Sequence, residues 1–289
     1  MIFDETIKSI LNEKLAQLEQ KFEADVVFYF GEIHPAMLRV FRDRMEELKK
    51  NPETARRRLA VILNTGGGLA ETAEKMVDII RFHYDEVYFV VPDYAMSAGT
   101  IFCMSGDKIY MDYSSSLGPI DPQVWNGTQY VPAMGYLDKV EALLQKAAAG
   151  TLLNAEFLIL QSQDLAMLSR YEQAKNLTIT LLKKWLVEYK FRGWNTHQTT
   201  PARIGQPVTL EEKKERAEEI ATLLGNHKHW HSHGRLIGVE TLRSVVKLKI
   251  EDYTGDAELQ PLIRSYNDLI TEFIAKSNMT YFIHSKLFF

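Results

Sequence analysis

Residues 59–68 read LAVILNTGGG, in which an unbroken apolar run at 59–63 is followed by Asn64, Thr65 and three consecutive glycines. Such a run is typical of a parallel β-strand that is covered on both faces. Consecutive glycines after a strand let backbone N–H groups point into a site, because no Cβ obstructs them. Taken alone, the glycine loop could cradle phosphate or simply form a tight turn.

Similar units on both sides of this stretch predict a chain in which helices and strands alternate. The predicted helices cover residues 4–22, 35–50 and 69–83, and the predicted strands cover 25–33, 59–63, 87–91 and 108–111. This alternation predicts an α/β architecture with parallel strands and right-handed crossovers.

The second half of the chain has a helical pattern. Residues 136–190 predict nearly continuous helix, with breaks around Gly150 and near Asn176. A capping box begins a helix at 210–224, a strand is predicted near 245–250, and a last helix near 256–275. We therefore divide the chain into an N-terminal helix (1–24), an α/β core (25–135) and a helical extension that completes the core (136–289).

Composition excludes several classes of protein. The chain has 289 residues, 46% apolar and 25% charged, which is the balance of an ordinary globular protein. A formal net charge of −4 gives no overall basic field for nucleic acid. A single cysteine, Cys103, allows no internal disulfide. The absence of a signal-peptide pattern and of a long apolar span predicts a soluble protein of the cytoplasm.

A second motif, AMSAGT at 95–100, follows the next buried strand. A serine at a strand-to-helix turn is held outward, and the start of the helix leaves backbone N–H groups without partners. Such donors suit the oxyanion of a tetrahedral intermediate. Ser97 is therefore a candidate nucleophile, and the alternative is that it caps the helix.

The order NTGGG, VYFVV, AMSAGT and SSSLGPIDPQ resembles the Clp/crotonase superfamily, and most closely the serine dehydrogenase proteinase family, which is related to signal peptide peptidase A. The segments DLAMLSRYE and SHGR fit the same family. The resemblance covers most of residues 25–270. It implies a Clp/crotonase-like fold, a parallel β-sheet spiral with flanking helices and a helical C-terminal half. It also implies a serine peptidase that works through an acyl-enzyme and needs no cofactor.

The same resemblance implies roles for particular residues. Ser97 would be the nucleophile. The N–H groups of Ala98 and of Gly68 or Gly67 would form the oxyanion hole.

The resemblance also implies partners. Leu117 and Gly118 would lie beside an extended peptide or protein substrate that is held by main-chain hydrogen bonds. Members of the superfamily commonly assemble, and the helices of 136–190 carry enough apolar residues to pack on a second copy, so we expect a homo-oligomer.

The general base is less obvious. Clp-type proteases use a histidine soon after the serine, but none lies between His83 and His197. Relatives with a Ser–Lys dyad instead place a lysine on a helix further along, where Lys139 lies in this sequence. A desolvated lysine has a lowered pKa and could accept the serine proton. Lys139 is the leading candidate and Lys146 a second.

Four histidines alternate in HKHWHSH at 227–233, so they would share one face of an extended segment. They could bind zinc, but no acidic ligands lie nearby and no metal is predicted. In Clp-type folds this region approaches the active site, so His233 could orient or replace the base. Asp121, in GPIDP, could orient a neighbour, although a turn aspartate is usually structural.

Two further functions stay open at this point. A catalytically inactive relative could use the same groove to bind peptides or partners. An acyl-CoA-processing crotonase relative would use a similar oxyanion hole, but it would need no serine at position 97.

Overall fold

The computed structural model describes residues 2–50, 56–125, 128, 130–198 and 201–289. The strands are β1 (Asp25–Phe30), β2 (Arg58–Asn64), β3 (Glu86–Val91), β4 (Tyr94–Ala95), β5 (Lys108–Met111), β6 (Ser116–Leu117), β7 (Gln123–Trp125), β8 (Tyr130–Pro132), β9 (Glu251–Asp252) and β10 (Phe282–His284). The helices are α1 (Ile2–Phe22), α2 (Leu38–Lys49), α3 (Ala70–His83), α4 (Ala98–Cys103), α5 (Ala133–Ala148), α6 (Asn154–Gln161), α7 (Leu165–Trp185), α8 (Leu210–Leu224), α9 (His227–Trp230), α10 (Val239–Ser244) and α11 (Leu259–Lys276).

Six strands form the central sheet in the order β10–β1–β2–β3–β5–β9. The pairs from β1 through β2, β3 and β5 to β9 are parallel, and β10 is antiparallel to β1. The predicted α/β class with parallel strands is confirmed. Because the strands are parallel, β1, β2 and β3 end at the same edge, and the glycine loop and AMSAGT lie beyond that edge.

Helices cover both faces of the sheet, which explains the unbroken apolar run of β2. Val61 and Leu63 belong to the core beneath α2, α3, α4, α7 and α8. Ala60 and Ile62 belong to the core beneath α1 and α11. Alternate side chains of a strand point to opposite faces, so neither face of β2 meets water. A fully buried side chain of this kind stabilises the fold by about 1.5–3 kcal/mol.

The helical half differs from the prediction in where it is broken. No break occurs at Asn176, which lies inside α7. The chain instead breaks between α6 and α7, where the Asp164 carboxylate accepts hydrogen bonds from Ala166 N (2.8 Å) and Met167 N (3.2 Å). This side-chain cap satisfies donors at the start of α7, so it begins a new helix there.

The predicted strand at 245–250 is wrong. Val246, Leu248 and Ile250 are buried in alternation, which is the pattern that suggested a strand. However, Lys247 has a positive φ of 54°, which breaks the extended backbone. Only the next two residues, in β9, pair with the sheet.

In the described part of the chain, none of the helices combines the length and the apolar character that crossing a bilayer requires.

Candidate active site

Ser97 lies at the turn between β4 and α4, with φ 50° and ψ −114°. L-residues rarely adopt this conformation, and such strain is concentrated at functional sites. The partly exposed side chain makes no capping hydrogen bond with α4. The alternative role of Ser97 as a helix cap is therefore not realised, and its hydroxyl is left available for chemistry.

The glycine loop is fixed against this turn. Thr65 N donates to Tyr94 O (3.1 Å), and Met96 N donates to Thr65 O (3.0 Å). Gly67 has φ 110°, and a Cβ at this position would come within 2.9 Å of both Met96 O and Ser97 Cβ. Only glycine lets the loop approach the serine so closely.

Among the described residues, the backbone N–H groups of Gly68 and Ala98 have no acceptor, and the same holds for those of Gly66 and Ser97. Gly68 is exposed, and Ala98 is the first residue of α4. The N–H of Gly67, in contrast, donates to Thr65 Oγ1 (3.1 Å). Of the two glycines predicted for an oxyanion hole, Gly68 thus has the free donor, while Gly67 provides the close approach.

Ile33 holds the outer edge of the glycine loop. Its N–H donates to Gly67 O (2.7 Å), and its carbonyl accepts from Leu69 N (3.0 Å). A Cβ on Gly68 would lie 2.2 Å from Ile33 O, so a side chain there would push this contact apart. The loop is therefore held from both sides before any substrate arrives.

Leu117 and Gly118 lie beside β4, but their backbone groups are already paired. Leu117 exchanges two hydrogen bonds with Ile237, at 3.0 and 2.8 Å. Gly118 N donates to Thr100 Oγ1 (2.9 Å). Their predicted contact with a substrate strand stays a prediction, and in this structure they first serve to build the site.

Leu117 and Ile237 form an antiparallel bridge. The side chains of Asp121, four residues after Leu117, and of His233, four residues before Ile237, are also in contact. Asp121 Oδ1 lies 2.8 Å from His233 Nδ1. Asp121 is 1% exposed, and its other oxygen accepts from Gln123 Nε2 (2.8 Å). His233 keeps a quarter of its side chain exposed.

This contact decides which nitrogen of the imidazole can act. An ionised carboxylate only accepts hydrogen bonds, so Nδ1 of His233 donates to Asp121. The second ring nitrogen, Nε2, is then the proton acceptor, as in a serine–histidine–aspartate arrangement. No hydrogen bond joins His233 to Ser97 in this structure, and such bonds often tighten only when substrate is bound.

Lys139 lies on α5 and is exposed. In the described residues it makes no hydrogen bond or ion pair, with Ser97 or with any other group. Its neighbour Asp138 binds Lys228 (2.7 Å) and His227 (3.3 Å). No hydrogen bond joins Lys139 to Ser97 in the described residues, and its role as base stays a prediction.

Two other residues of the sequence analysis lie apart from this chemistry. Lys146 pairs with Glu156 of α6. Cys103 is fully buried, and burial raises the pKa of its thiol, so it behaves as a small apolar side chain.

The histidines of 227–233 do not form the expected shared face, because 227–230 is helical rather than extended. His227 and His229 are two residues apart on α9, a spacing that does not place side chains together. Among the described residues no group of three or more His, Cys, Asp or Glu could hold a metal ion.

The pairing of Asp121 with His233 is the feature that sequence reasoning missed. The sequence predicts that His233 could orient or replace the base and that Asp121 could orient a neighbour or be structural, but it does not pair the two residues. The available signal was that both residues lie in segments, GPIDP and SHGR, that carry the family resemblance.

Comparison with known families places this chain among the ClpP-like serine proteinases. The profile of the ClpP-like SDH-type serine proteinase family matches residues 43–228, more than half of the chain. The chain belongs to this family. The resemblance in the sequence and the ClpP-like fold are thereby confirmed, and the family supports a serine peptidase in general terms.

Two curated relatives come from Methanocaldococcus jannaschii. The protein MJ0137 is 32% identical over 163 residues, which are 56% of this chain and 53% of that protein. The protein MJ1495 is 33% identical over 93 residues, which are 32% of this chain and 30% of that protein. The chain thus matches about half the length of the first relative and less of the second.

Solved structures include two mutants of the 1510-N membrane-bound stomatin-specific protease. One, in complex with a substrate peptide, is 15% identical with a TM-score of 0.45, over 82% of this chain and 75% of that chain. The other is 17% identical with a TM-score of 0.31, over 43% of this chain and 62% of that chain.

Proposed function

We propose that this protein hydrolyses peptide bonds through an acyl-enzyme, with Ser97 as nucleophile and His233, oriented by Asp121, as general base. The observation that carries the proposal is the 2.8 Å contact between His233 Nδ1 and the buried Asp121 carboxylate. Leu117, four residues before Asp121, pairs with β4, the strand that precedes Ser97. Leu117 also pairs with Ile237, four residues after His233.

In the first step, Ser97 Oγ attacks the carbonyl carbon of the scissile bond, and its proton moves to His233 Nε2. The negative charge that develops on the carbonyl oxygen is stabilised by the N–H groups of Gly68 and Ala98. When the intermediate collapses, the C–N bond breaks, and the leaving amine takes the proton from His233.

In the second step, water attacks the ester of Ser97 and gives a proton to His233. The C–O bond to Ser97 then breaks, and His233 returns that proton to the serine oxygen. Asp121 holds the ring in one orientation throughout and stabilises the imidazolium form.

Lys139 is the rival base for the same reaction, and a lysine must lose its proton to act. Its side chain is exposed on α5. We further propose that the substrate is a peptide or protein, that the protein forms a homo-oligomer and that it is located in the cytoplasm. Apolar side chains exposed on α6, such as Leu158 and Ile159, support the assembly.

The test is the rate of labelling with a fluorophosphonate probe, followed by peptide mapping. We expect the wild-type protein to be labelled on Ser97 and Ser97→Ala to remain unlabelled. His233→Ala should slow labelling by about 10²- to 10⁴-fold, because general-base catalysis is lost. The matched control is His229→Ala, an exposed histidine whose ring packs against Trp230.

Other outcomes would select other functions. Loss of labelling in Lys139→Ala but not in His233→Ala would establish a Ser–Lys dyad. A wild-type protein that is never labelled would favour a peptide-binding relative. Acyl-CoA hydrolysis that survives Ser97→Ala would favour the crotonase-type reaction.

A further inference from the structure

Thr100 lies in the first turn of α4, three residues after Ser97, and its side chain is fully buried. Its hydroxyl takes no part in the chemistry proposed for Ser97. It nevertheless makes contacts on both sides of the catalytic turn.

The hydroxyl oxygen accepts a hydrogen bond from Gly118 N (2.9 Å). It also lies 2.8 Å from Ala95 O and 3.0 Å from Gly118 O. A hydroxyl has a single proton, so it donates to one of these carbonyls at a time. Thr100 thus joins α4, the end of β4 and the residue that follows β6.

These bonds come where regular pairing stops. The β4–β6 ladder ends at the Ala95–Leu117 pair. Beyond it the chain runs through Pro119, which has no N–H to donate, to Asp121. The next backbone bond, from Ile120 N to Leu224 O (3.0 Å), leads to α8 rather than to the serine turn. Thr100 supplies the hydrogen bonds that tie this segment to the element carrying Ser97.

We propose that Thr100 is a positioning residue that sets the Asp121–His233 pair relative to Ser97. This inference rests on the proposed function, since it assigns Thr100 an effect only through His233. Without the hydroxyl, the segment 118–121 would be free to shift while Ser97 stays on α4. Displacement of a base by about 1 Å can cost up to about 10²-fold in rate.

The test compares Thr100→Val, which replaces the hydroxyl with a methyl group, with Thr100→Ser, which keeps it. We expect fluorophosphonate labelling to slow by about 10- to 100-fold in Thr100→Val. Thr100→Ser should stay within about threefold of the wild-type rate, because the same hydrogen bonds remain possible. The matched control is Thr178→Val, a buried threonine whose hydroxyl donates to Ala174 O (3.1 Å) within α7.

The decisive measurement repeats Thr100→Val in the His233→Ala background, with labelling followed over hours. If Thr100 acts through His233, the second substitution should change the residual rate by less than about twofold. An equal loss in both backgrounds would overturn the proposal, since Thr100 would then act on Ser97 directly or on folding. Wild-type labelling in Thr100→Val would overturn it too.

Failure of the proposed function can be told apart from failure of this inference. If His233→Ala alone labels at the wild-type rate, the proposed base is wrong and this inference falls with it. If His233 is required but Thr100→Val is not slowed, only the positioning role is wrong. Should Thr100→Val not fold, Thr100→Ala makes the same comparison without placing a methyl group against Gly118 N.

Discussion

His233 and His284 are both hydrogen-bonded histidines of the C-terminal half, yet their surroundings differ in every respect that matters for proton transfer. His233 binds the Asp121 carboxylate and keeps part of its ring exposed. His284, on β10, is fully buried and binds Tyr266 OH (2.8 Å) and Asn12 Oδ1 (3.0 Å).

The two histidines differ in the charge of their hydrogen-bond partners and in the exposure of their rings. A carboxylate stabilises an imidazolium, and exposure lets a substrate reach the ring. Neutral partners in a closed core do neither, and burial lowers the pKa of His284 to about 4. One histidine is therefore suited to moving protons, whereas the other stabilises the junction of β10 with α1 and α11 only while it stays neutral.

The largest effect that would sharpen this comparison is expected from Asp121→Asn. The amide keeps the size of the carboxylate but can donate to Nδ1, which favours the wrong tautomer and withdraws the charge that stabilises imidazolium. Peptidase kcat should fall by about 10²- to 10⁴-fold, with little change in melting temperature.

Asp138→Asn is the control for this variant, because Asp138 also contacts a histidine, His227, but outside the serine turn. Its kcat should match that of the wild-type protein. Equal kcat for Asp121→Asn and wild type would mean that the Asp121–His233 pair is structural, like the contacts of His284.

A smaller effect concerns stability near His284. Because the folded pKa is about 4 and the ordinary value is 6.5, the unfolded chain binds the proton more tightly between these values. The free energy of unfolding should therefore fall as pH drops from about 6.5 to 4, by at most about 3 kcal/mol from this group. The stabilisation is fully present above pH 6.5.

Urea unfolding at pH 7, 5.5 and 4.5 measures this, with wild type compared with His284→Gln. The variant should be less stable at pH 7 and should lose stability less steeply towards acid. Carboxylates shared by both proteins titrate in the same range, so the difference between the two curves carries the result. Parallel curves would contradict a neutral, buried His284.

The smallest effect is expected at His227, which is neither paired with a buried carboxylate, as His233 is, nor enclosed in the core, as His284 is. Its Nε2 lies 3.3 Å from Asp138 on the surface between α9 and α5. His227→Ala should change the free energy of unfolding by no more than about 1 kcal/mol and leave peptidase activity intact. Melting with and without added zinc provides the second readout. A zinc-dependent rise that disappears in His227→Ala would restore the metal site that the alternating histidines first suggested.

Much of the sheet could be predicted from the sequence because its signals are local. The run at 59–63 is apolar throughout because both faces of β2 are covered. Ser97 lies in a short motif that directly follows a buried strand, so its place at a strand-to-helix turn could be predicted. Prediction failed where a local pattern had a different cause. Residues 246–250 alternate in burial without forming a strand, because Lys247 adopts a positive φ.

The sequence by itself therefore determined the α/β class, the glycine loop and Ser97, all of which depend on residues close together in the chain. The tertiary structure alone brought His233 to Asp121, across a separation of 112 residues. It also left Lys139 on an exposed face, although its spacing from Ser97 had favoured it. A base is selected by burial, charge and orientation, and these arise only when distant segments pack together.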